Sequence, residues 1–243
     1  MSLIEHLEEL RTRLFISLGA WVVGAMLAFF FRFRLLEWLR QPLPPGIGVN
    51  AFGLFEPFLV SMQVSAFFGL VLAAPVIGGQ VWGFIAPALY PEERRWAVPF
   101  VFFTALAFLC GVLFARYVVL PFAMPVLLGF LGEEANVLLS IGDYIAKLIT
   151  YMMVFGIVFE MPIVAFLLAR LGMVQASTMV SVRRYAIVVC CIAAAIISTA
   201  GDPLNFAFVA VPLIVLYEVS IIVVRLSQRR SLEAMPPVDG SAS

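Results

Sequence analysis

Long runs without a single charged residue constrain this chain more than any other feature. Leu14–Phe31 is uncharged for 18 residues and Phe58–Trp82 for 25 residues. An α-helix rises about 1.5 Å per residue, so about 20 apolar residues cross the roughly 30 Å hydrocarbon core of a bilayer. Hydrophobic residues make up 63% of the 243-residue chain and charged residues only 12%, which is too apolar for one soluble core. The sequence therefore predicts an all-α polytopic membrane protein.

Six apolar segments, separated by polar or proline-rich connections, predict six membrane-spanning helices. The fifth segment is apolar for only 16 residues, which is about 24 Å of helix and less than the hydrocarbon core. Residues 1–228 are expected to form one membrane domain, and residues 229–243, basic and then Pro-rich and polar, a disordered tail. The predicted spans are 14–31, 58–82, 97–120, 148–169, 185–200 and 204–224.

Three features at the edges of the apolar runs give further expectations. Residues 2–13 repeat leucines at steps of three and four, which predicts an amphipathic surface helix along the lipid headgroups. A short helix is expected near Arg34–Arg40, before the helix-breaking segment QPLPPGIGVN. Arg116 lies inside the third apolar run, where a long basic side chain is expected to snorkel outward to water.

The basic residues are distributed unevenly between the two sides of the membrane. With six spans, ten of them fall on the side of the two termini and five on the other side. Cytoplasmic loops carry the excess of Lys and Arg. The N-terminus and the C-terminus are therefore predicted to be cytoplasmic, and so is the hinge between the second and third spans.

This hinge, Gln80–Pro99, is a short polar segment between two long apolar runs. It places two acids beside two arginines, Glu92–Arg95, between two tryptophans. Glu9 falls on the same predicted side of the membrane. Carboxylates near a membrane surface suit a cationic ligand, especially guanidinium groups that donate two hydrogen bonds. The alternative is internal pairing, for which Glu9 and Arg13 have the i,i+4 spacing.

Glu160 lies near the middle of the fourth predicted span. An ionisable side chain costs roughly 2.5–3.5 kcal/mol at that depth and is by default a functional-site hypothesis. It could face a polar cavity, relay protons or contact a partner helix. The alternative is a structural acid that is protonated or paired with a glutamine, for which Gln63 and Gln80 are candidates.

Other classes of protein find little support in the sequence. A net charge of zero argues against a nucleic-acid partner. His6 is the only histidine and the three cysteines lie in apolar runs, so we expect no metal site, no cofactor and no catalytic Cys–His site. A secondary transporter would need an internal repeat, an intramembrane enzyme would need a second catalytic group near Glu160, and a structural scaffold predicts no ligand selectivity.

Four segments together resemble the TatC family, the polytopic core of the twin-arginine protein translocase. The resemblance runs from about residue 3 to residue 228 and keeps the order and spacing of the six spans. Gln63 departs from the family's pattern, in which a basic residue is usual at this position. The segments are HLEELRTRL at 6–14, APVIGGQVWGFIAPALYPEERR at 74–95, FGIVFEMP at 155–162 and GDP at 201–203.

The resemblance implies a fold, a function and a set of partners. The fold is a concave, glove-like bundle in which the fifth and sixth spans are short. Proteins of this family work with the single-span subunits TatA and TatB to export folded proteins across the bacterial cytoplasmic (inner) membrane, driven by the proton-motive force. Within that complex, in which a homo-oligomer is expected, TatC is the receptor for signal peptides that carry an Arg-Arg pair. Transport rather than enzyme catalysis is implied.

The family's functional residues transfer onto this sequence one by one. Its signal-binding acids correspond to Glu9 and Glu93. Its periplasmic-loop proline corresponds to Pro42, and its polar acid in the fourth span, implicated in partner contact, corresponds to Glu160. The residues expected near the signal-binding acids are Arg11, Phe84 and Arg95.

Overall fold

The structure, a computed structural model, describes residues 3–43, 47–85, 97–129, 138–198 and 203–233. These residues form ten α-helices, one π-helical turn and two short strands. The elements in chain order are α1 (Leu3–Phe30), α2 (Arg32–Arg40), β1 (Val49–Asn50), α3 (Glu56–Ile85), α4 (Ala97–Phe114), the π turn (Ala115–Val119), α5 (Leu120–Gly129), β2 (Leu139–Ser140), α6 (Ile141–Phe159), α7 (Met161–Arg170), α8 (Ala176–Ser181), α9 (Arg183–Ser198) and α10 (Pro203–Glu233).

Five helical segments in the described part of the chain are long and apolar enough to cross a membrane, which agrees with an all-α polytopic fold. The fifth predicted span coincides with α9, whose 16 residues make it shorter than these five, as its apolar length predicted. The five segments are Glu5–Phe30, Glu56–Ile85, Val98–Pro125, Ile141–Arg170 and Pro203–Gln228.

Several helices extend beyond the limits that the sequence predicted, and α1 and α10 do so the most. α1 is continuous over 28 residues, so the predicted surface helix and the first span are one helix, because the change from polar to apolar residues near Leu14 contains no helix breaker. α10 is 31 residues long and ends at Glu233. The sixth segment is therefore not short, and residues 229–233 continue this helix, whereas the sequence assigned them to the tail.

Close contacts between small residues hold the membrane-spanning helices together. A Cβ atom added to Gly69 of α3 would overlap the backbone of Ala25 in α1, and one added to Gly24 would overlap the Gly69 carbonyl. In addition, the Trp21 indole nitrogen donates a hydrogen bond of 2.8 Å to the Ala66 carbonyl oxygen. Without Cβ atoms the two backbones approach closely, as is common between membrane helices. These contacts fix the position of α1 along the axis of α3.

The end of the bundle formed by α2, β1, β2 and the first turn of α6 is here called the far face. β1 and β2 pair in parallel, with Val49 opposite Leu139. The Glu56 carboxylate, at the start of α3, accepts hydrogen bonds from the backbone N–H groups of Phe52 at 2.7 Å and Gly142 at 2.8 Å. It also accepts hydrogen bonds from the Gly53 N–H and the Ser140 hydroxyl. One carboxylate therefore joins the segment before α3 to the start of α6.

Arg116 corrects one prediction, because its side chain does not snorkel outward. It is only 3% exposed, and its Nη2 atom donates a hydrogen bond of 2.6 Å to the Trp38 carbonyl oxygen. The guanidinium carbon lies 4.8 Å from the Trp38 ring centroid. Arg116 belongs to the π turn, and such a bulge changes the direction of the side chains around it. The last carbonyls of α2 have no partner within that helix, so the Trp38 carbonyl oxygen can accept from the buried cation.

Pro42 lies in the turn that follows α2, and its side chain is half-buried. The preceding residue, Gln41, accepts a hydrogen bond of 3.3 Å from Arg116 through its Oε1 atom. The Tyr144 hydroxyl donates to the Leu39 carbonyl oxygen at 3.0 Å. The segment that leads into Pro42 is thus held on two sides, by the π turn and by α6.

Candidate functional site

The opposite end of the bundle, formed by residues 5–13 of α1 and 80–85 of α3, is here called the near face. Its central group is the Glu9 carboxylate. The Arg13 guanidinium donates to Glu9 Oε1 from Nη2 at 2.6 Å and from Nε at 2.9 Å. The Nδ1 atom of His6 lies 3.9 Å from the other oxygen, Oε2. The internal pairing that the sequence offered as an alternative is therefore present at Glu9.

Phe84, near the end of α3, contributes an aromatic ring to the near face. Its ring stacks on the imidazole of His6, with the ring centroids 4.4 Å apart and the planes inclined by 19°. Because α1 and α3 are antiparallel, this stack brings Glu9 and Phe84 to the same surface. α3 ends at Ile85, so the first six residues of the hinge, 80–85, are helical and belong to this surface.

Two of the expected site residues, Glu93 and Arg95, lie outside the described residues, and their roles stay predictions. Arg11 is exposed on α1, on the same two turns of helix as Glu9. The structure thus brings Glu9 and Phe84 together through His6, while Arg11, two residues after Glu9, lies on another side of α1.

Gly83 is a residue of the near face that the sequence did not single out, and His6 was considered there only as a metal or catalytic residue. A Cβ atom added to Gly83 would overlap the Arg13 guanidinium, so the missing side chain provides the space in which that group lies. A weak signal for His6 was present, since it precedes Glu9 by three residues and so shares its helix face. The role of Gly83 depends on the contact between α1 and α3, which no local pattern specifies.

Glu160 lies where α6 ends and α7 begins, with Pro162 immediately after the break. It lines a cavity of about 260 Å³ together with Thr104 and with residues of α3 and α4. Within the described residues, no hydrogen bond or ion pair reaches the Glu160 carboxylate, and the buried Thr104 hydroxyl also lacks a partner. The cavity is therefore apolar except for these two groups.

The two glutamines proposed as partners of Glu160 do not serve that role here. Gln63 is exposed and Gln80 is half-buried, and neither lines the Glu160 cavity. The other carboxylate within the predicted spans is Glu218. It lies 2.8 Å from the Nε atom of Arg183 on α9, in an ion pair that is more than a third exposed.

Comparisons with known proteins agree with one another. The family model described as "Sec-independent protein translocase protein (TatC)" matches residues 5–212. Proteins named "Sec-independent protein translocase protein TatC" are similar over most of the chain. The one from Magnetococcus marinus is 40% identical, covering 95% of this chain and 86% of that protein. The one from Aquifex aeolicus is 38% identical, covering 96% and 98%.

A solved structure shows the same architecture. The chain superimposes with a TM-score of 0.83 and 38% sequence identity on a structure titled "Crystal Structure of Twin Arginine Translocase Receptor- TatC". The match covers 92% of this chain and all of the other. A second structure of that receptor, in DDM, gives a TM-score of 0.81 at 38% identity.

Proposed function

The chain belongs to the TatC family and is a subunit of the Sec-independent, twin-arginine protein translocase; on this premise we propose that its near face is the receptor site for Arg-Arg signal peptides. The observation that carries the proposal is the Glu9 carboxylate, which already holds a guanidinium group at 2.6 Å. The chemistry that recognises a signal arginine is therefore built into α1. Glu93 supplies the second carboxylate, from the hinge that follows Phe84.

The environment of Glu9 supports a binding role. Its side chain is 21% exposed, so it is partly withdrawn from water and still reachable by a ligand. Partial desolvation strengthens a charge-assisted hydrogen bond, and a carboxylate can accept two parallel bonds from one guanidinium. The stacked pair of His6 and Phe84 forms an aromatic wall beside it. Such a wall can contact the apolar residues that follow the arginine pair in a signal peptide.

The distribution of arginines supports placing the near face in the cytoplasm. Both termini and the hinge belong to the side with the excess of basic residues. In this orientation the far face is periplasmic and Pro42 lies in a periplasmic loop. The protein would then be a multi-pass subunit of the bacterial inner membrane that meets its ligand before export.

The Glu160 cavity supports a second contact, with the single-span subunits TatA and TatB. A carboxyl group without a partner inside the membrane is costly, and a polar group on an incoming helix would relieve that cost. The assembled complex, with more than one copy of this chain, would export folded proteins by using the proton-motive force. An enzyme or a secondary transporter has no comparable support, since the family is a protein translocase.

The test is binding of a fluorescent Arg-Arg signal peptide to the purified protein in detergent, at two salt concentrations. We expect Glu9→Gln and Glu93→Gln each to weaken binding at least tenfold, and a Lys-Lys peptide to bind the unaltered protein more weakly than its Arg-Arg twin. Glu8→Gln is the matched control, because Glu8 is an exposed neighbour on the same helix. Unchanged affinity in both the Glu9 and Glu93 variants would refute the receptor site.

A further inference from the structure

The structure shows a guanidinium-binding site that is occupied by the chain's own arginine. Arg13 donates two hydrogen bonds to the single oxygen Oε1 of Glu9. Its guanidinium lies in the space that Gly83 leaves open on α3. Any other side chain at position 83 would compete for that space. The site is therefore formed by a carboxylate on one helix and a missing side chain on the other.

The bound group has the same chemistry as the expected ligand. A signal peptide presents guanidinium groups to Glu9, and Arg13 already presents one. Oxygen Oε1 accepts both bonds from Arg13, while the closest partner of Oε2 in the near face is the His6 imidazole at 3.9 Å. An incoming arginine that forms two parallel bonds needs both oxygens. It cannot form them while Arg13 keeps its position.

We propose that Arg13 is an internal competitor for Glu9, which a signal arginine must displace, and that it thereby lowers the affinity of the site for signal peptides. This inference rests on the proposed receptor function. An i,i+4 ion pair is weak, and the Arg13 side chain is 27% exposed. A signal arginine that gains two parallel hydrogen bonds can therefore displace it.

Selectivity follows from the way in which lysine and arginine differ. A lysine ammonium is a compact, strongly hydrated charge that cannot match the planar two-bond geometry of a guanidinium. A Lys-Lys peptide must displace the Arg13 guanidinium by a lysine ammonium, which is the poorer donor. An Arg-Arg peptide replaces one guanidinium by another and gains a second contact. Competition by Arg13 lowers the apparent affinity for both peptides by the same factor, and the difference between the peptides comes from their own contacts with Glu9.

Two variants remove the competitor in different ways. Arg13→Gln removes the charged group, and Gly83→Ala places a methyl group where the guanidinium lies. The overlap at Gly83 is with the end of a flexible side chain, so α3 need not move. Arg34→Gln is the control, because Arg34 is an exposed arginine on α2 at the far face and its loss changes the net charge equally.

The measurement is the dissociation constant of the Arg-Arg and the Lys-Lys signal peptide for each variant in detergent. We expect Arg13→Gln and Gly83→Ala to tighten Arg-Arg binding by about two- to fivefold, as for a partly exposed ion pair. Lys-Lys binding should tighten by the same factor, so that the ratio between the two peptides stays constant. Arg34→Gln should leave both constants unchanged.

The outcomes separate this inference from the receptor function. If Glu9→Gln weakens binding while Arg13→Gln and Gly83→Ala leave it unchanged, the receptor function stands and the competitor role is wrong. Weaker binding in both variants would also overturn it, since Arg13 would then orient Glu9. If Glu9→Gln and Glu93→Gln bind normally, the receptor function itself fails. Thermal unfolding of each variant confirms that binding is compared between folded proteins.

Discussion

The far face and the near face satisfy their polar groups in different ways. On the far face, Glu56 and Arg116 bond to segments distant in sequence, to Gly142 at 2.8 Å and to Trp38 at 2.6 Å. On the near face, the ion pair of Glu9 is confined to α1, and α3 contributes a stacked ring and an open space. Bonds between distant segments hold a surface in one shape. A local ion pair leaves its charged groups available for exchange, which suits a surface that binds a ligand.

The largest expected effect is on the far face, at Arg116. Arg116→Leu removes a charge-assisted hydrogen bond and leaves the Trp38 carbonyl oxygen without its donor, so we expect the free energy of unfolding to fall by about 2–3 kcal/mol. Unfolding in detergent, followed by circular dichroism, measures this change. Arg34→Leu, on the exposed side of α2, should have little effect. Equal stability of the two variants would mean that the far face does not depend on its buried cation.

A smaller loss of stability, but a change in binding, is expected where α1 meets α3. Gly69→Leu forces a side chain into the backbone of Ala25, which should cost about 1–3 kcal/mol and displace α1. Because α1 carries Glu9, the Arg-Arg peptide should bind more weakly. Gly19→Leu is the control, since no atom lies within 4 Å of an added Cβ there. Normal peptide binding by a destabilised Gly69→Leu protein would show that this helix contact does not position Glu9.

The smallest effect is expected at Glu56. In Glu56→Gln one acceptor oxygen becomes an NH₂ group, which faces either the N–H groups of Phe52 and Gly53 or the donors on Ser140 and Gly142. Hydrogen exchange of the unpaired amides should accelerate, with a smaller change in global unfolding. Mass spectrometry of peptides after hydrogen exchange measures this acceleration. Glu37→Gln is the control, because Glu37 is exposed on α2. Unaltered protection at Phe52, Gly53 and Gly142 together would contradict the joining role of the carboxylate.

The parts of the fold that depend on local composition could be predicted from the sequence. The uncharged runs predicted the long helices, and the short apolar length of the fifth run predicted the short helix α9. A short helix was expected near Arg34–Arg40, and α2 spans Arg32–Arg40. The i,i+4 spacing anticipated the pair of Glu9 and Arg13. Each of these features involves residues within a few turns of one another.

Features that depend on contacts between distant segments could not be predicted. The buried position of Arg116 requires a π turn and the end of α2 beside it, and neither is visible in the third apolar run. The pairing of β1 with β2 involves only two residues in each strand. The cavity that Glu160 shares with Thr104 arises where three helices meet. In each case the decisive neighbour lies on another element.

The parallel pairing of β1 with β2 has a consequence for biosynthesis. Val49 pairs with Leu139, and Glu56 binds the Gly142 amide, so the partners are separated by roughly 90 residues of synthesis. A growing chain emerges N-terminal end first. α1 and α3 can therefore enter the membrane and pack through their glycines long before the groups that close the far face exist. Insertion of α6 is the step that completes this end of the protein, and a ribosome-bound chain that stops before it would expose the Glu56 carboxylate to water.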